Sequence, residues 1–236
     1  MNAGPTAAGP VEACVFDAYG TLLDVNSAVA RLAAEVGPTA AELAGLWRRK
    51  QLEYSWLRSL MRRHADFWQL TGDALDHALE ALKLDGRRLH EPLLDAYGRL
   101  AAYHEVPGML GRLRAAGMPA AVLSNGSPNM LRRSFASTGL GDMLDPVISV
   151  EAAGVFKPTP DVYLLATHAL GVAAERVAFF SSNGWDAHGA ASFGFRAVWV
   201  NRAGLPAERL PSEPVATVPD LAAVPGLVGL AAEAAR

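Results

Sequence analysis

One apolar strand, then about eighty residues of helical periodicity, then a regular alternation of strands and helices: this order limits the available folds more than any other feature of the chain. The first strand is Val11–Phe16. Beyond it, Thr39 and Glu42 have the spacing of a capping box, which predicts the start of a helix. Leu43, Leu46, Trp47, Tyr54, Leu57, Leu60 and Met61 then recur at helical spacing. Further helical stretches are predicted over Asp66–Leu84 and Arg87–Tyr103, with no strand signal between them. The pattern changes at Val106-Pro107-Gly108. A helix (Met109–Ala116) leads to the strand Pro119–Leu123, and Ser127-Pro128 reads as an N-cap with proline in the first helical position. Another strand follows at Pro146–Val150, and Thr159-Pro160 opens the next helix in the same way. Val177–Phe180 and Ala197–Val200 complete the expected strand set.

Strands alternating with helices imply a parallel sheet covered on both faces. The predicted fold is therefore α/β: a Rossmann-like, doubly wound parallel sheet core (1–23 and 105–236) with an inserted all-helical cap domain (24–104). Residues 1–10, rich in Ala, Gly and Pro, read as a loose tail. A chain of 236 residues, 51% hydrophobic and 19% charged, can bury a full core. The net charge of −3, without any block of like charge, argues against a nucleic-acid partner. The only cysteine, Cys14, lies in the first strand, so no intrachain disulfide can form and a cytoplasmic location is expected. No apolar run approaches the ~18 residues needed to span a bilayer, so no membrane partner is expected. The first ten residues also lack the basic start and apolar stretch of a signal peptide.

Four segments end strands or follow them closely, and all carry polar groups: Asp17–Thr21, Ser124-Asn125-Gly126, Lys157-Pro158 and Ser181–Asp186. In a parallel sheet these ends converge on one crevice. Asp17 is placed there as a candidate nucleophile. A second carboxylate two residues later would suggest magnesium-dependent phosphoryl transfer, but Tyr19 occupies that position. The six histidines show no paired metal-ligand spacing, and no GxSxG elbow, dinucleotide turn or P-loop is present.

An aspartate, a serine, a lysine and a final acidic residue, in that order, resemble the four motifs of the haloacid dehalogenase superfamily. Phe16–Leu22, Trp47–Tyr54, Leu123–Gly126, Lys157-Pro158 and Ser181–Asp186 resemble more closely the type II L-2-haloacid dehalogenases. The resemblance covers the whole chain. It implies an α/β core with a helical cap, a homodimer, and no metal or other cofactor. It also implies hydrolysis of short L-2-haloalkanoic acids to D-2-hydroxy acids with inversion, the partners being the 2-haloacid substrate and the halide ion.

The implied reaction assigns tasks to residues. Asp17 attacks the halogen-bearing carbon in line. An ordinary aspartate is only about one part in a thousand protonated at pH 7, so Lys157 serves to orient it and to keep it charged once solvent is excluded. Asp17 and Asp186 balance Lys157 and Arg48, which leaves the substrate carboxylate to neutral donors: the backbone N–H groups of Ala18 and Tyr19, and the Ser124 hydroxyl. Arg48 and Asn125 receive the halide. Tyr19, Leu52, Phe67 and Trp185 wall the pocket. Hydrolysis of the Asp17 ester follows, with Asp186 as general base and Asn183 and Lys157 steering the water. Thr21, Ser181 and Tyr163 support this network.

Two positions depart from the family pattern. Arg49 stands where relatives often have glutamine, and Gly184 where they often have alanine; both bear on substrate range. Fluoroacetate or haloacetate hydrolysis is an alternative within the same family. A phosphatase of the superfamily is a further one, opposed by Tyr19 and by the single carboxylate in Ser181–Asp186.

Overall fold

The computed structural model describes residues 9–230. Its main sheet is six-stranded and parallel, in the order β5-β4-β1-β6-β7-β8. The first strand, β1 (Ala13–Phe16), is wholly buried. A strand buried on both faces must be apolar throughout, and Ala-Cys-Val-Phe meets that requirement. Burial pushes the Cys14 thiol up to about 12, consistent with a small core residue rather than a reactive one.

After β1 the chain makes a two-residue strand, β2 (Leu23–Asp24), and enters the helical insertion: α1 (Ser27–Arg31), α2 (Ala33–Val36), α3 (Ala40–Met61), α4 (Phe67–Ala81) and α5 (Gly86–Tyr97). It returns through β3 (Ala101–Ala102), which pairs antiparallel with β2. Helix α5 therefore stops at Tyr97, short of the Tyr103 expected, and the helical block is closed by a strand pair that its periodicity did not reveal. Thr39 does precede α3, but its backbone (φ −88°, ψ 7°) is not the extended conformation of a capping residue and its hydroxyl caps nothing. Asp66 does cap α4, accepting from the N–H groups of Trp68 and Gln69.

Helix α3 also buries a different stripe from the one expected. Its buried residues are Leu43, Trp47, Gln51 and Ser55, one every four residues, while Leu57, Leu60 and Met61 are 41%, 80% and 60% exposed. The stripe turns polar midway, where Gln51 is hydrogen-bonded to Thr71 on α4 and Tyr97 on α5.

The rest of the chain alternates as expected: α6 (Val106–Ala115), β4 (Ala120–Ser124), α7 (Pro128–Thr138), β5 (Val147–Ser149), α8 (Pro160–Leu170), β6 (Val177–Ser181), α9 (Gly184–Phe193) and β7 (Arg196–Val200). Ser127 caps α7 by accepting from Met130 N–H, whereas Thr159 precedes α8 without a side-chain cap. An edge strand absent from the expectation, β8 (Ala216–Val218), pairs with β7, and a one-turn helix, α10 (Val224–Leu227), follows. The sheet grows from β1 towards β4 and β5, then in the opposite direction through β6 and β7. The order thus reverses at β1, which places the crevice beyond its carboxyl end. The tail read over residues 1–10 lies outside the described residues except for Gly9 and Pro10, both exposed. Among the described residues no helix is long and apolar enough to cross a membrane.

Candidate active site

β1 runs directly into Asp17, whose backbone N–H still donates to Phe180 O at 2.9 Å. Gly20 then takes φ 92°, a left-handed conformation that favours glycine, and turns Thr21 back towards the aspartate. Thr21 Oγ1 donates to Asp17 Oδ2 at 3.0 Å and accepts from Ser182 N–H at 2.8 Å. Asn183 Nδ2 also donates to Oδ2 at 3.0 Å. Lys157 Nζ donates to the other oxygen, Oδ1, at 3.1 Å. Asp17, only 6% exposed, is thus fixed at both oxygens by donors from three separate loops.

Lys157 is shared. Its Nζ donates to Asp186 Oδ2 at 2.9 Å and lies 4.9 Å from the centroid of the Phe179 ring. Two carboxylates around one buried ammonium leave a net negative charge. Asp186 is completely buried, and that burial pushes its carboxyl above the ordinary range; Lys157 opposes the shift and the Asp17 charge reinforces it. Tyr163 Oη donates to Asp186 Oδ1 at 2.8 Å. Burial, then the adjacent Asp186, holds the Tyr163 hydroxyl well above its usual value, so it stays a donor.

Arg48 approaches from the opposite side, on α3. Its Nη2 donates to Tyr19 O at 3.3 Å and Asn183 Oδ1 at 3.2 Å, and its Nη1 to Gln51 Oε1 at 2.8 Å. Asn183 thereby touches Asp17 with its nitrogen and Arg48 with its oxygen. The wall beside them is aromatic. The Tyr19 ring stacks on Tyr97 (centroids 5.7 Å) and meets Phe67 (6.2 Å), while Trp47 packs on Tyr97 (5.1 Å) and Phe67 on Phe156 (5.8 Å).

The remaining expected residues lie around this centre in other ways. Ser124 Oγ accepts from Gly126 N–H at 3.1 Å, Asn125 Oδ1 from Lys157 N–H at 3.0 Å, and Ser181 Oγ from Asn183 N–H at 3.2 Å. These three shape the loops that carry the site. Ala18 is buried, and its carbonyl accepts from Leu22 and Leu23 N–H. Leu52 is half-buried one turn beyond Arg48. Trp185 meets Trp56 edge-on at 5.3 Å, at the seam between α3 and α9, and lines a groove of about 380 Å³ with Pro158, His188 and Leu210. Arg49 is exposed and folds back against Gly45, without a bond to the site among the described residues. A Cβ on Gly184 would lie 2.7 Å from Glu208 Cγ, so glycine there makes room for that side chain. Among the described residues, His, Cys, Asp and Glu side chains form no group of three suited to a metal.

Gln51, Thr71, Tyr97 and Gly189 also adjoin the site, and the sequence reading assigned them no part. A repeat of four along α3, from Leu43 through Trp47 to Gln51, was the available signal for Gln51.

The model of the haloacid dehalogenase-like hydrolases matches residues 11–194. The chain is 52% identical over 200 residues to (S)-2-haloacid dehalogenase 1 of Pseudomonas sp. (strain CBS-3), covering 84% of this chain and 88% of that one. It is 38% identical to haloacetate dehalogenase H-2 of Moraxella sp. (strain B), covering 93% and 99%. The solved L-2-haloacid dehalogenase of Xanthobacter autotrophicus with chloropropionic acid covalently bound superposes with a TM-score of 0.84 at 40% identity, covering 94% and 100%.

Proposed function

The chain belongs to the haloacid dehalogenase-like hydrolases, and within them we propose that it is an (S)-2-haloacid dehalogenase, hydrolysing short L-2-haloalkanoic acids to (R)-2-hydroxy acids and halide. The observation that carries this reading is the pairing of Asp17, fixed at both oxygens, with Arg48 brought over it by α3, while Tyr19 stands where a second carboxylate would serve phosphoryl transfer.

Asp17 attacks the substrate carbon through Oδ1, which bears one donor where Oδ2 bears two. Backside attack inverts the carbon, and the C–X electron pair leaves with the halide, received by Arg48 and Asn125. A halide departs unprotonated, so no general acid is needed. Ala18 N–H, Tyr19 N–H and Ser124 hold the substrate carboxylate. Tyr19, Leu52, Phe67 and Trp185 surround its alkyl group.

Esterification removes the Asp17 charge, and Lys157 then has a single carboxylate partner. The Asp17 charge is one of the influences raising Asp186. Its loss favours ionised Asp186, which takes a proton from the water that attacks the Asp17 carbonyl carbon and passes it to the hydroxy-acid oxygen as the ester C–O bond breaks, returning Asp17 as a carboxylate with loss of one proton to solvent. Asn183 and Lys157 steer that water. Thr21 and Ser181 hold the nucleophile loop and the Asn183 loop, and Tyr163 holds Asp186.

We place the cap at 24–104 and the core at 1–23 and 105–236, with the β2–β3 pair as support for the boundary. A homodimer fits the exposed Leu57, Leu60 and Met61 on α3, and a cytoplasmic location fits the lone buried Cys14. Haloacetates are a second substrate class, supported by the likeness to a haloacetate dehalogenase.

The test is chloride release from each enantiomer of 2-chloropropionate with EDTA present. Release from the L form alone is expected, and no release, or a requirement for magnesium, refutes the reading. A single turnover in heavy-oxygen water should label Asp17 and leave the first product unlabelled.

A further inference from the structure

We infer that Gln51 is a positioning residue for the departing halide: it aims the Arg48 guanidinium through a neutral acceptor, so no carboxylate is hydrogen-bonded to the cation where the halide must bind. This deepens the proposed dehalogenase reading and rests on the halide role given there to Arg48.

Arg48 donates to Gln51 Oε1, Tyr19 O and Asn183 Oδ1 and also meets the Tyr97 hydroxyl, and all four are neutral. Among the described residues it forms no salt bridge with a carboxylate. Arginines that are fully buried are almost always paired. Here a carboxylate would cancel the field that a leaving anion needs, whereas an amide oxygen fixes direction without adding charge.

The amide orientation follows from its partners. Arginine can only donate, so the atom facing Arg48 must be the amide oxygen. On the other side Gln51 Nε2 lies 2.7 Å from Thr71 Oγ1, whose own proton goes to Phe67 O at 2.6 Å. Thr71 Oγ1 can therefore only accept from Gln51. The chain Arg48 → Gln51 → Thr71 → Phe67 O has a donor and an acceptor at each link, with no choice left in its direction. Tyr97 Oη lies 3.0 Å from Nε2 and 3.2 Å from Oε1 and closes the same cluster. Gln51 is 1% exposed, and a buried amide with this many satisfied bonds has one rotamer available. The network ties Arg48 to α4 and α5, and the Tyr97 ring in turn stacks on Tyr19.

Glutamate at position 51 matches glutamine in shape but would form an ion pair with Arg48. It would also turn an acceptor towards Thr71 Oγ1, which has no proton to offer. Methionine keeps the length and the neutrality but removes the acceptor. The two changes thus separate charge from aim.

The experiment compares wild type, Gln51→Glu, Gln51→Met and Arg48→Ala with L-2-chloro- and L-2-bromopropionate, and measures inhibition by added chloride and bromide. Since kcat/KM covers steps up to irreversible loss of halide, it reports the displacement itself. Chloride is the poorer leaving group and depends more on assistance. Gln51→Glu should lower kcat/KM for the chloro substrate about 100-fold, the scale of losing one oriented charge-stabilising donor, and for the bromo substrate about tenfold. Halide inhibition should weaken in parallel, and Arg48→Ala combined with Gln51→Met should be no worse than Arg48→Ala alone. If Gln51→Glu does not fold, Gln51→Met decides, with an expected fall of about fivefold in the chloro-to-bromo ratio of kcat/KM. A folded variant whose ratio and halide inhibition stay within about twofold of wild type overturns the inference, because a purely structural Gln51 would change stability alone. A wild-type protein that releases no halide from either substrate overturns the Arg48 role as well.

Discussion

Replacing Gly189 by alanine should uncouple Tyr163 from Asp186 by steric force alone. Gly189 lies within α9, where alanine would ordinarily stabilise by about 1 kcal/mol through helix propensity. The surroundings reverse that sign. A Cβ there would lie 2.6 Å from both Tyr163 Oη and Pro158 Cβ, about 0.8 Å inside ordinary van der Waals contact. Neither neighbour can yield easily. One is a proline ring, and the other is a fully buried tyrosine held by Phe179, Phe193 and Phe195 at centroid distances of 5.8–5.9 Å.

Overpacking of this kind costs about 1–3 kcal/mol. A shift of about 0.8 Å also carries the 2.8 Å Tyr163–Asp186 bond outside the O–H···O range, and a hydrogen bond to a charged group contributes about 1.5–3 kcal/mol. A net loss of about 2 kcal/mol at neutral pH is therefore expected, read by urea unfolding. The pH dependence has a definite sign. Asp186 is raised in the fold, so its ionisation opposes folding: its contribution is most favourable below the ordinary aspartate value and declines as pH rises through the folded value. Removing the Tyr163 donor raises Asp186 further, so the deficit of Gly189→Ala should be smaller near pH 4 than near pH 8. In activity, an Asp186 that works ionised should lose function at acid pH, and the acid limb of kcat should move upward. Gly189→Ala with wild-type or greater stability and an unchanged acid limb would refute the argument.

Tyr163→Phe provides the same electrostatic change without overpacking: the acid limb of kcat should again move to higher pH, because the Tyr163 hydrogen bond is one of the influences lowering Asp186. An unmoved limb would separate Asp186 from the titration that controls the rate. Gly126→Ala is a test of the aromatic wall, since its Cβ would sit 2.6 Å from Tyr19 Cε2 and 3.3 Å from Leu131 Cδ2. Displacing the Tyr19 ring should raise KM for 2-chloropropionate about tenfold with a stability loss of about 1–3 kcal/mol, and an unchanged KM would show that the ring does not touch substrate.

Asp17 and Asp186 were legible as crevice residues because they closely follow apolar strands. β1 and β6 are apolar and wholly buried, and a parallel sheet brings their ends together whatever the loops do, whereas Lys157 lies beyond the partly exposed β5 and an intervening helical turn. The core strands were readable for the same reason. β8 was not, because Ala216-Thr217-Val218 is a three-residue edge strand with no apolar run of its own. Gln51 and Tyr97 were harder still. A glutamine on a long helix looks like part of a solvated face, and only the packing of α4 and α5 against α3 makes it interior. Gly189 shows the limit most clearly: its role lies in the space it leaves for Tyr163 Oη, and empty volume has no pattern in a linear chain. The apolar repeat at the end of α3 misled because Leu57, Leu60 and Met61 are helical in spacing yet exposed.

The short pairing of Leu23-Asp24 with Ala101-Ala102 has a consequence for how this protein can vary. It joins the two points where the chain departs from the sheet and rejoins it, so to the core the whole helical excursion is one loop with its ends already tied. The entropy of closing such a loop grows only with the logarithm of its length, each doubling costing about 0.6 kcal/mol. Helices can be lengthened, trimmed or resurfaced between those strands with little effect on the register of β1 against β4 and β6. On the proposed reading, Asp17 sits at the end of a sheet strand and Arg48 on the excursion, so the two reach the crevice from separately adjustable parts of one chain.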